Sequence, residues 1–364
     1  MLTPLSELKK ADGSAFVFSA PPTPVCGPDE FCIATVSFEH GHAYGMTHAL
    51  CQAGATLKWI YDRKPELLKK ASEQFPQAKV ARSLEEVLND PQVKLVCAAD
   101  VPALRADLGI KCMNAGKDYF TDKGPFTTLQ QVADVRAAVK ATGRKYMVYY
   151  SERIANESAM LAGDLIAQGA IGKVMHVLGL GPHRIGNPAG RPEWFFQKRN
   201  YGGILADIGS HQCEQFLFYA GTENATVTNA RVMNFNHPQF PELEDFGEAN
   251  LVGDNGTSFY FRVDWFTPDG LSSWGDGRTI ILGTEGTIEL RKYVNLATGE
   301  GGNQLFMFDG KQEVHINAAH TVGCRFFNEL ILDCINRTEN AMTQEHAIRA
   351  GELCVKAQLF ADAK

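Results

Sequence analysis

Between residues 31 and 150 the chain alternates short, uninterrupted apolar runs with longer stretches of helical periodicity. Phe31–Phe38 (FCIATVSF), Leu57–Tyr61, Val93–Ala99 (VKLVCAA), Asp118–Thr121 and Lys145–Tyr150 (KYMVYY) have the length and the β-branched or aromatic content of buried strands. Ala43–Ala53, Glu66–Phe75, a stretch closing at Leu88, Ala103–Ala115 and Leu129–Ala141 read as helices between them. Ser83 and Glu86 spell a capping box at the start of the third. Strands separated by helices of this length predict a parallel sheet with right-handed crossovers, a doubly wound domain.

Beyond Arg153 the pattern changes. A helix over Ser158–Gln168 leads into a strand at Lys173–Leu180. Seven runs of period-2 or β-rich character follow: Thr226–Asn234, Ala249–Val252, Ser258–Phe266, Thr279–Gly283, Thr287–Arg291, Gln304–Phe308 and Glu313–Ile316. Turn residues such as Gly253-Asp254-Asn255-Gly256 and Asp309-Gly310 separate them, as hairpins require. Amphipathic helices over Val322–Asn336 and Gln344–Ala363 close the chain. The expected fold is α/β: a doubly wound parallel sheet over 31–150, then an α+β domain over 151–364 with a large, mostly antiparallel open sheet. Residues 1–30 read as an N-terminal extension. An open sheet face calls for cover from helices or from another subunit, so a homodimer or homotetramer is expected.

A length of 364 residues agrees with two domains. The net charge of −7 gives no electrostatic reason to expect nucleic acid or an anionic membrane as partner. Nine cysteines, an odd number without a C-x-x-C pair, fit neither a zinc ribbon nor a disulfide framework. The first twenty residues lack the apolar run of a signal peptide, and no stretch approaches the ~18 apolar residues of a membrane span. A soluble, cytoplasmic protein is the expectation.

Doubly wound sheets bind ligands beyond the carboxyl ends of their strands. The first such turn, Ser37-Phe38-Glu39-His40-Gly41-His42-Ala43-Tyr44-Gly45, only partly resembles the G-x-G-x-x-G that lets backbone approach a pyrophosphate. With Ser37 at the first glycine's place, Glu39 and His42 take the second and third. Asp62 ends the second strand, 25 residues beyond Ser37. An acid there either receives an adenosine ribose, favouring NAD, or caps the following turn. Arg63 and Lys64 beside it suit a 2′-phosphate, which keeps NADP open.

Two further constellations carry chemistry. Asp122-Lys123-Gly124-Pro125 follows a strand of the parallel sheet, where a lysine reaches the ligand crevice. In Gly202-Gly203-Ile204-Leu205-Ala206-Asp207-Ile208-Gly209-Ser210-His211, a helix over 205–219 would put Asp207 and His211 on one face. The carboxylate would then orient the imidazole and raise its pKa for proton transfer. The bland alternatives are a solvated lysine and an ordinary helix start with a satisfied core histidine. His183, Glu193, Asp207 and His211, or His40 with His42, are metal-competent residue types, yet no tight metal spacing occurs and no metal site is assigned.

Taken together, these motifs resemble the Gfo/Idh/MocA family over about residues 30–364. In that family an E-K-P motif follows a strand of a Rossmann domain, and G-G-x-x-x-D-x-x-x-H opens a helix of a second α/β domain. Asp122-Lys123-Gly124-Pro125 departs from the first by Asp for Glu and by an inserted glycine. Gly202, Gly203, Asp207 and His211 match the second. Asn114-Ala115-Gly116-Lys117, Tyr150 with Arg153, and Gly169-Ala170-Ile171-Gly172-Lys173 match further. The resemblance implies NAD(P)-dependent oxidation or reduction of a secondary alcohol on a sugar, cyclitol or polyol. By that analogy Lys123, Asp207 and His211 are catalytic. Ser37, Glu39, His40, Gly41, His42, Asp62, Arg63, Asp122 and Lys123 hold the cofactor, and Tyr150, Arg153, His183, Arg184 and Trp194 serve the substrate. Arg191, Glu193, Lys198 and Tyr201, in the loop before the Asp/His motif, are additional polar candidates. Some relatives instead use NAD for a transient oxidation that promotes glycoside cleavage, and others are non-catalytic regulators.

Overall fold

A computed structural model of the protein describes residues 23–363. Most of the expected extension, residues 1–22, lies outside the described residues. The first half runs β1 (Cys32–Val36), α1 (His42–Gln52), β2 (Thr56–Tyr61), α2 (Pro65–Gln74), β3 (Lys79–Val80), α3 (Leu84–Leu88), β4 (Val93–Ala98), α4 (Pro102–Asn114), β5 (Asp118–Asp122), α5 (Leu129–Thr142) and β6 (Tyr146–Tyr149). Its six strands form an all-parallel sheet in the order β3-β2-β1-β4-β5-β6. Every residue of β1, β5 and β6 is buried, the physical reason their sequences are continuous apolar runs rather than alternating ones. The exposed two-residue β3 carries no such signal, and sequence reading passes over it. The expected capping box is displaced by one residue: Ser83 Oγ accepts from Glu86 N, but the Glu86 carboxylate returns to Arg82 N at 2.7 Å.

The second half contains α6 (Ser151–Ile154), α7 (Glu157–Ala167), β7 (Val174–Pro182), α8 (Lys198–Tyr201), α9 (Ile204–Asp207), α10 (Gly209–Ala220), β8 (Ala225–Met233), β9 (Phe246–Gly253), β10 (Ser258–Asp264), β11 (Arg278–Gly283), β12 (Gly286–Arg291), β13 (Gln304–Asp309), β14 (Glu313–Asn317), α11 (Phe326–Asn336) and α12 (Gln344–Asp362). Its eight strands run β14-β13-β12-β11-β7-β10-β9-β8, antiparallel throughout except where β10 lies parallel to β7. Alternation sorts the two faces. Phe259, Phe261 and Val263 of β10 are buried on one side, with Phe259 stacked on Phe216 of α10 at 4.6 Å. Tyr260 on the other bonds Glu248 at 2.8 Å, on a face where Ser258, Tyr260 and Arg262 are only half-buried among the described residues.

Helix α12 ties the halves together. Its Glu345 and Glu352 bind Arg136 of α5, His346 meets Glu214 of α10, and the Ala347 carbonyl accepts from Tyr150 Oη. All nine thiols are free, and no helix among the described residues is long and apolar enough to cross a membrane.

Candidate active site

The parallel sheet changes direction of strand order between β1 and β4, and a cleft of about 390 Å³ opens near the carboxyl ends of its strands. Residues 39–42 and Lys123 line it from the first half; 183–187, 190–192, Trp194, Phe195, Trp265 and Trp274 line it from the second. Lys123 follows β5 directly, and its Nζ bonds Asp207 Oδ1 at the end of α9, both side chains nearly buried. The glycine inserted before Pro125 is what allows this. Gly124 has φ +67°, and a Cβ there would stand 3.3 Å from the Asp207 Cα and Oδ1. Its amide donates to Ser210 Oγ at 3.1 Å, locking the loop onto the second half. Gly203, at φ +94°, leaves room for Gln358 of α12, whose Oε1 accepts from Leu205 N at 3.1 Å.

His211 departs from its expected arrangement. Ile208 keeps right-handed helical dihedrals between α9 and α10, yet Asp207 bonds Lys123 rather than His211. Asp207 is committed to Lys123, and His211 Nδ1 is buried with no hydrogen-bond partner among the described residues. Its pKa falls to about 3 rather than rising, because burial outweighs the attraction of Glu152. Burial would raise the Asp207 carboxyl, but Lys123 outweighs it and holds the group below its ordinary value. Beneath His211 lies a charge network that no motif announces. Glu152 Oε2 accepts from Lys292 Nζ at 2.7 Å and Gln212 Nε2 at 2.9 Å. Against the cost of burial, Lys292 brings that carboxyl down to about 2. Residues 152 and 292 are too far apart in the chain for spacing to have linked them.

In the β1–α1 loop, Ser37 takes φ +59°, the left-handed conformation that a glycine adopts without strain. Its Oγ donates to Asp100 at 3.2 Å. Glu39 turns into the cations after β2, reaching Arg63 at 3.2 Å and Lys64 at 2.9 Å. Arg63 also binds Asp100 at 2.7 Å. Asp62 accepts from Phe38 N and Lys64 N, at 2.6 and 2.7 Å, so it both caps its own turn and braces the loop. Asp122 gathers His42 Nδ1 at 2.7 Å, His40 Nδ1 at 3.1 Å and the fully buried Arg105 at 3.2 Å. Burial would raise this carboxyl, yet His42, Arg105 and His40 hold it well below the carboxylate range. His40 itself is lowered to about 4 by burial. His40, His42 and Asp122 bring ligand-type atoms within 4.8 Å of one another, close enough to hold a metal ion. Arg105 already supplies that carboxylate with a cation. Gly41 caps α1 in ordinary right-handed geometry.

Of the substrate candidates, His183, Arg184 and Trp194 line the cleft. Tyr150 and Arg153 do not: Tyr150 bonds the Ala347 carbonyl, and Arg153 pairs with Glu214 behind the site. Glu193 is exposed, Lys198 is held by Glu244 and Asp362, and Tyr201 bonds the Glu242 carbonyl. Trp265 and Trp274, solitary tryptophans in loops of the second half, join the cleft without any sequence signal; Trp274 packs 4.4 Å from His183.

Comparison with known proteins follows the same division. Residues 34–150 match the Gfo/Idh/MocA oxidoreductase family's NAD-binding Rossmann domain, and residues 160–289 match a Gfo/Idh/MocA C-terminal domain. The crystal structure of a candidate oxidoreductase from Erwinia carotovora atroseptica is 47% identical, with a TM-score of 0.89, covering 91% of this chain and 99% of that one. A levoglucosan dehydrogenase in complex with NADH and levoglucosan has the same fold at 18% identity and a TM-score of 0.73, covering 92% of this chain and 96% of that one. The scyllo-inositol 2-dehydrogenase (NADP(+)) IolW of Bacillus subtilis is 26% identical over 166 residues, 44% of either protein. The chain thus spans less than half the length of the first curated relatives it matches. Two matched domains, joined through the buried Lys123–Asp207 pair, make this chain a member of the Gfo/Idh/MocA oxidoreductase family.

Proposed function

We propose that the protein transfers hydride between NAD and a secondary alcohol of a sugar, cyclitol or related polyol. The observation that carries this reading is the Lys123–Asp207 pair, built from both halves beside the cleft where 39–42 and the loop residues 183–187 and 190–192 converge. Residues 31–150 act as the cofactor unit and 151–364 as the substrate and assembly unit. The first turn fits a dinucleotide despite its missing glycines. Ser37 supplies the left-handed backbone, and Arg63 with Lys64 neutralises Glu39, so a diphosphate meets no uncompensated carboxylate. Asp62 keeps lone pairs for a ribose, while Arg63 and Lys64 leave NADP as the weaker partner. NAD, when bound, supplies the hydride acceptor.

Lys123, paired with Asp207, hydrogen-bonds the reacting oxygen. His211, neutral through burial, accepts the hydroxyl proton as the carbon loses hydride and the carbonyl forms. Lys292 and Glu152 set the charge beneath that imidazole. The half-buried sheet face serves assembly into a dimer or tetramer.

Lys123→Ala and His211→Ala are expected to lower kcat by about 10²–10⁴-fold while NADH titration of tryptophan fluorescence is unchanged. A near-normal rate in either variant, on a polyol the parent oxidises, removes that residue from the mechanism. Product released from a glycoside without net change in NADH absorbance moves the reading to oxidation-assisted cleavage.

A further inference from the structure

The charges around the cleft are unevenly compensated. Lys123 has Asp207, Glu39 has Arg63 and Lys64, and Asp122 has Arg105 with two histidines. Arg184 is held by the carbonyls of Pro268, Leu271 and Ser273. Arg191 differs. Its guanidinium carbon lies 4.7 Å from the Phe195 ring centre and 5.3 Å from that of Trp265. Nε donates to the Ile185 carbonyl at 3.0 Å and Nη2 to the Arg184 carbonyl at 2.9 Å. Among the described residues no carboxylate forms an ion pair with it, and Nη1 has no partner. Burial pulls its pKa below the ordinary arginine value, with Asp207 the compensating charge nearby. On the same wall, Trp194 Nε1 is buried without an acceptor.

Arginine is charged at any ordinary pH and presents a planar fork matched to carboxylates. Two carbonyls and two aromatic rings fix the orientation of this one, yet none of them neutralises it. A neutral hydroxyl could satisfy the indole of Trp194, but it would leave the partly buried guanidinium without a carboxylate in contact. A carboxylate offers acceptors only and carries the missing charge.

We propose, resting on the dehydrogenase reading above, that the substrate is a sugar acid of the aldonate or uronate class. Its carboxylate docks on the free edge of Arg191, with Trp194 Nε1 donating to the same end of the molecule. The reacting secondary hydroxyl lies at the other end, against Lys123.

The test compares matched pairs, glucose with glucuronate and glucose with gluconate, in the full-length protein and in Arg191→Gln. Turnover is followed by NADH absorbance, and binding to the NADH complex by calorimetry. The expected result is an acid member preferred by about tenfold or more in kcat/KM or in Kd, a preference that Arg191→Gln collapses mainly through KM. A neutral member used or bound as well as its acid overturns the proposal. So does an Arg191→Gln variant that weakens both members alike, or one that loses NADH affinity while the acid preference persists; the last outcome would assign the guanidinium to the dinucleotide's diphosphate. If neither class is oxidised but the acid binds through Arg191, the dehydrogenase reading fails and the acid-binding site stands.

Discussion

The two walls of the cleft solve their electrostatics in opposite ways. On the cofactor wall every buried charge has its partner within the chain: Asp122 with Arg105, His40 and His42, Glu39 with Arg63 and Lys64, and Asp62 with two amides. On the substrate wall Arg191 bonds two carbonyls through Nε and Nη2 but leaves Nη1 open among the described residues, and the Trp194 indole and His211 Nδ1 are unanswered as well. A wall completed internally is rigid before any ligand arrives. A wall with orphan donors favours whatever brings acceptors, because leaving them unmade costs more than a new bond between satisfied groups gains. On the reading proposed above, the first wall belongs to folding and the second to recognition.

Breaking a charge on each wall sharpens this contrast. Asp122→Asn strands Arg105 at a fully buried position and should cost ~3–5 kcal/mol in urea unfolding. Arg191→Gln, which removes a cation without a carboxylate, should change stability by less than about 1 kcal/mol. Equal losses would show that both walls are structural.

Acid probes the same contrast more gently. His40 and His183 are held at about 4 and His211 at about 3, all by burial, against about 6.5 in an unfolded chain. The unfolded chain therefore binds protons first as pH falls. Stability present above pH 6.5 should drain away toward pH 4. Glu152 and Glu214, both lowered to about 2, add their losses only below about 4.5. Scanning calorimetry should find Tm falling already between about pH 6.5 and 5; a flat Tm there contradicts the neutral buried histidines.

The smallest effect lies at the exposed rim of the cofactor wall. Arg63→Ala leaves Glu39 with Lys64 alone and should weaken NADH binding about two- to fivefold, since Arg63 is nearly half exposed. Unchanged affinity would mean that Glu39 lies outside the diphosphate's reach.

Both sheets were legible because burial writes itself into local pattern: continuous runs for β1, β5 and β6, alternation for β9 and β10. Lys123 and Asp207 were legible as motif residues. The bond between them was not, because Asp207 had been read against the neighbouring His211. The close approach at Gly124 is what brings the two together, and it depends on contacts from elsewhere in the chain. Glu152, Lys292, Arg105 and the tryptophans at 265 and 274 left no trace for the same reason. Each acquires its role only from neighbours more than a dozen residues away.

The strap formed by α12 has a consequence for the order of events during synthesis. Domains fold broadly from the N-terminus as the chain emerges, and the parallel sheet is complete once β6 has been made. The Asp207 segment, however, is braced by Gln358, and Glu214 behind it by His346. The nascent protein can therefore hold a finished parallel sheet while the segments carrying Asp207 and Glu214 still lack their final support. The junction around Asp207 is therefore completed only after α12 is made, and a ribosome stalled before residue 344 would display a nucleotide-binding fold with that junction unfinished.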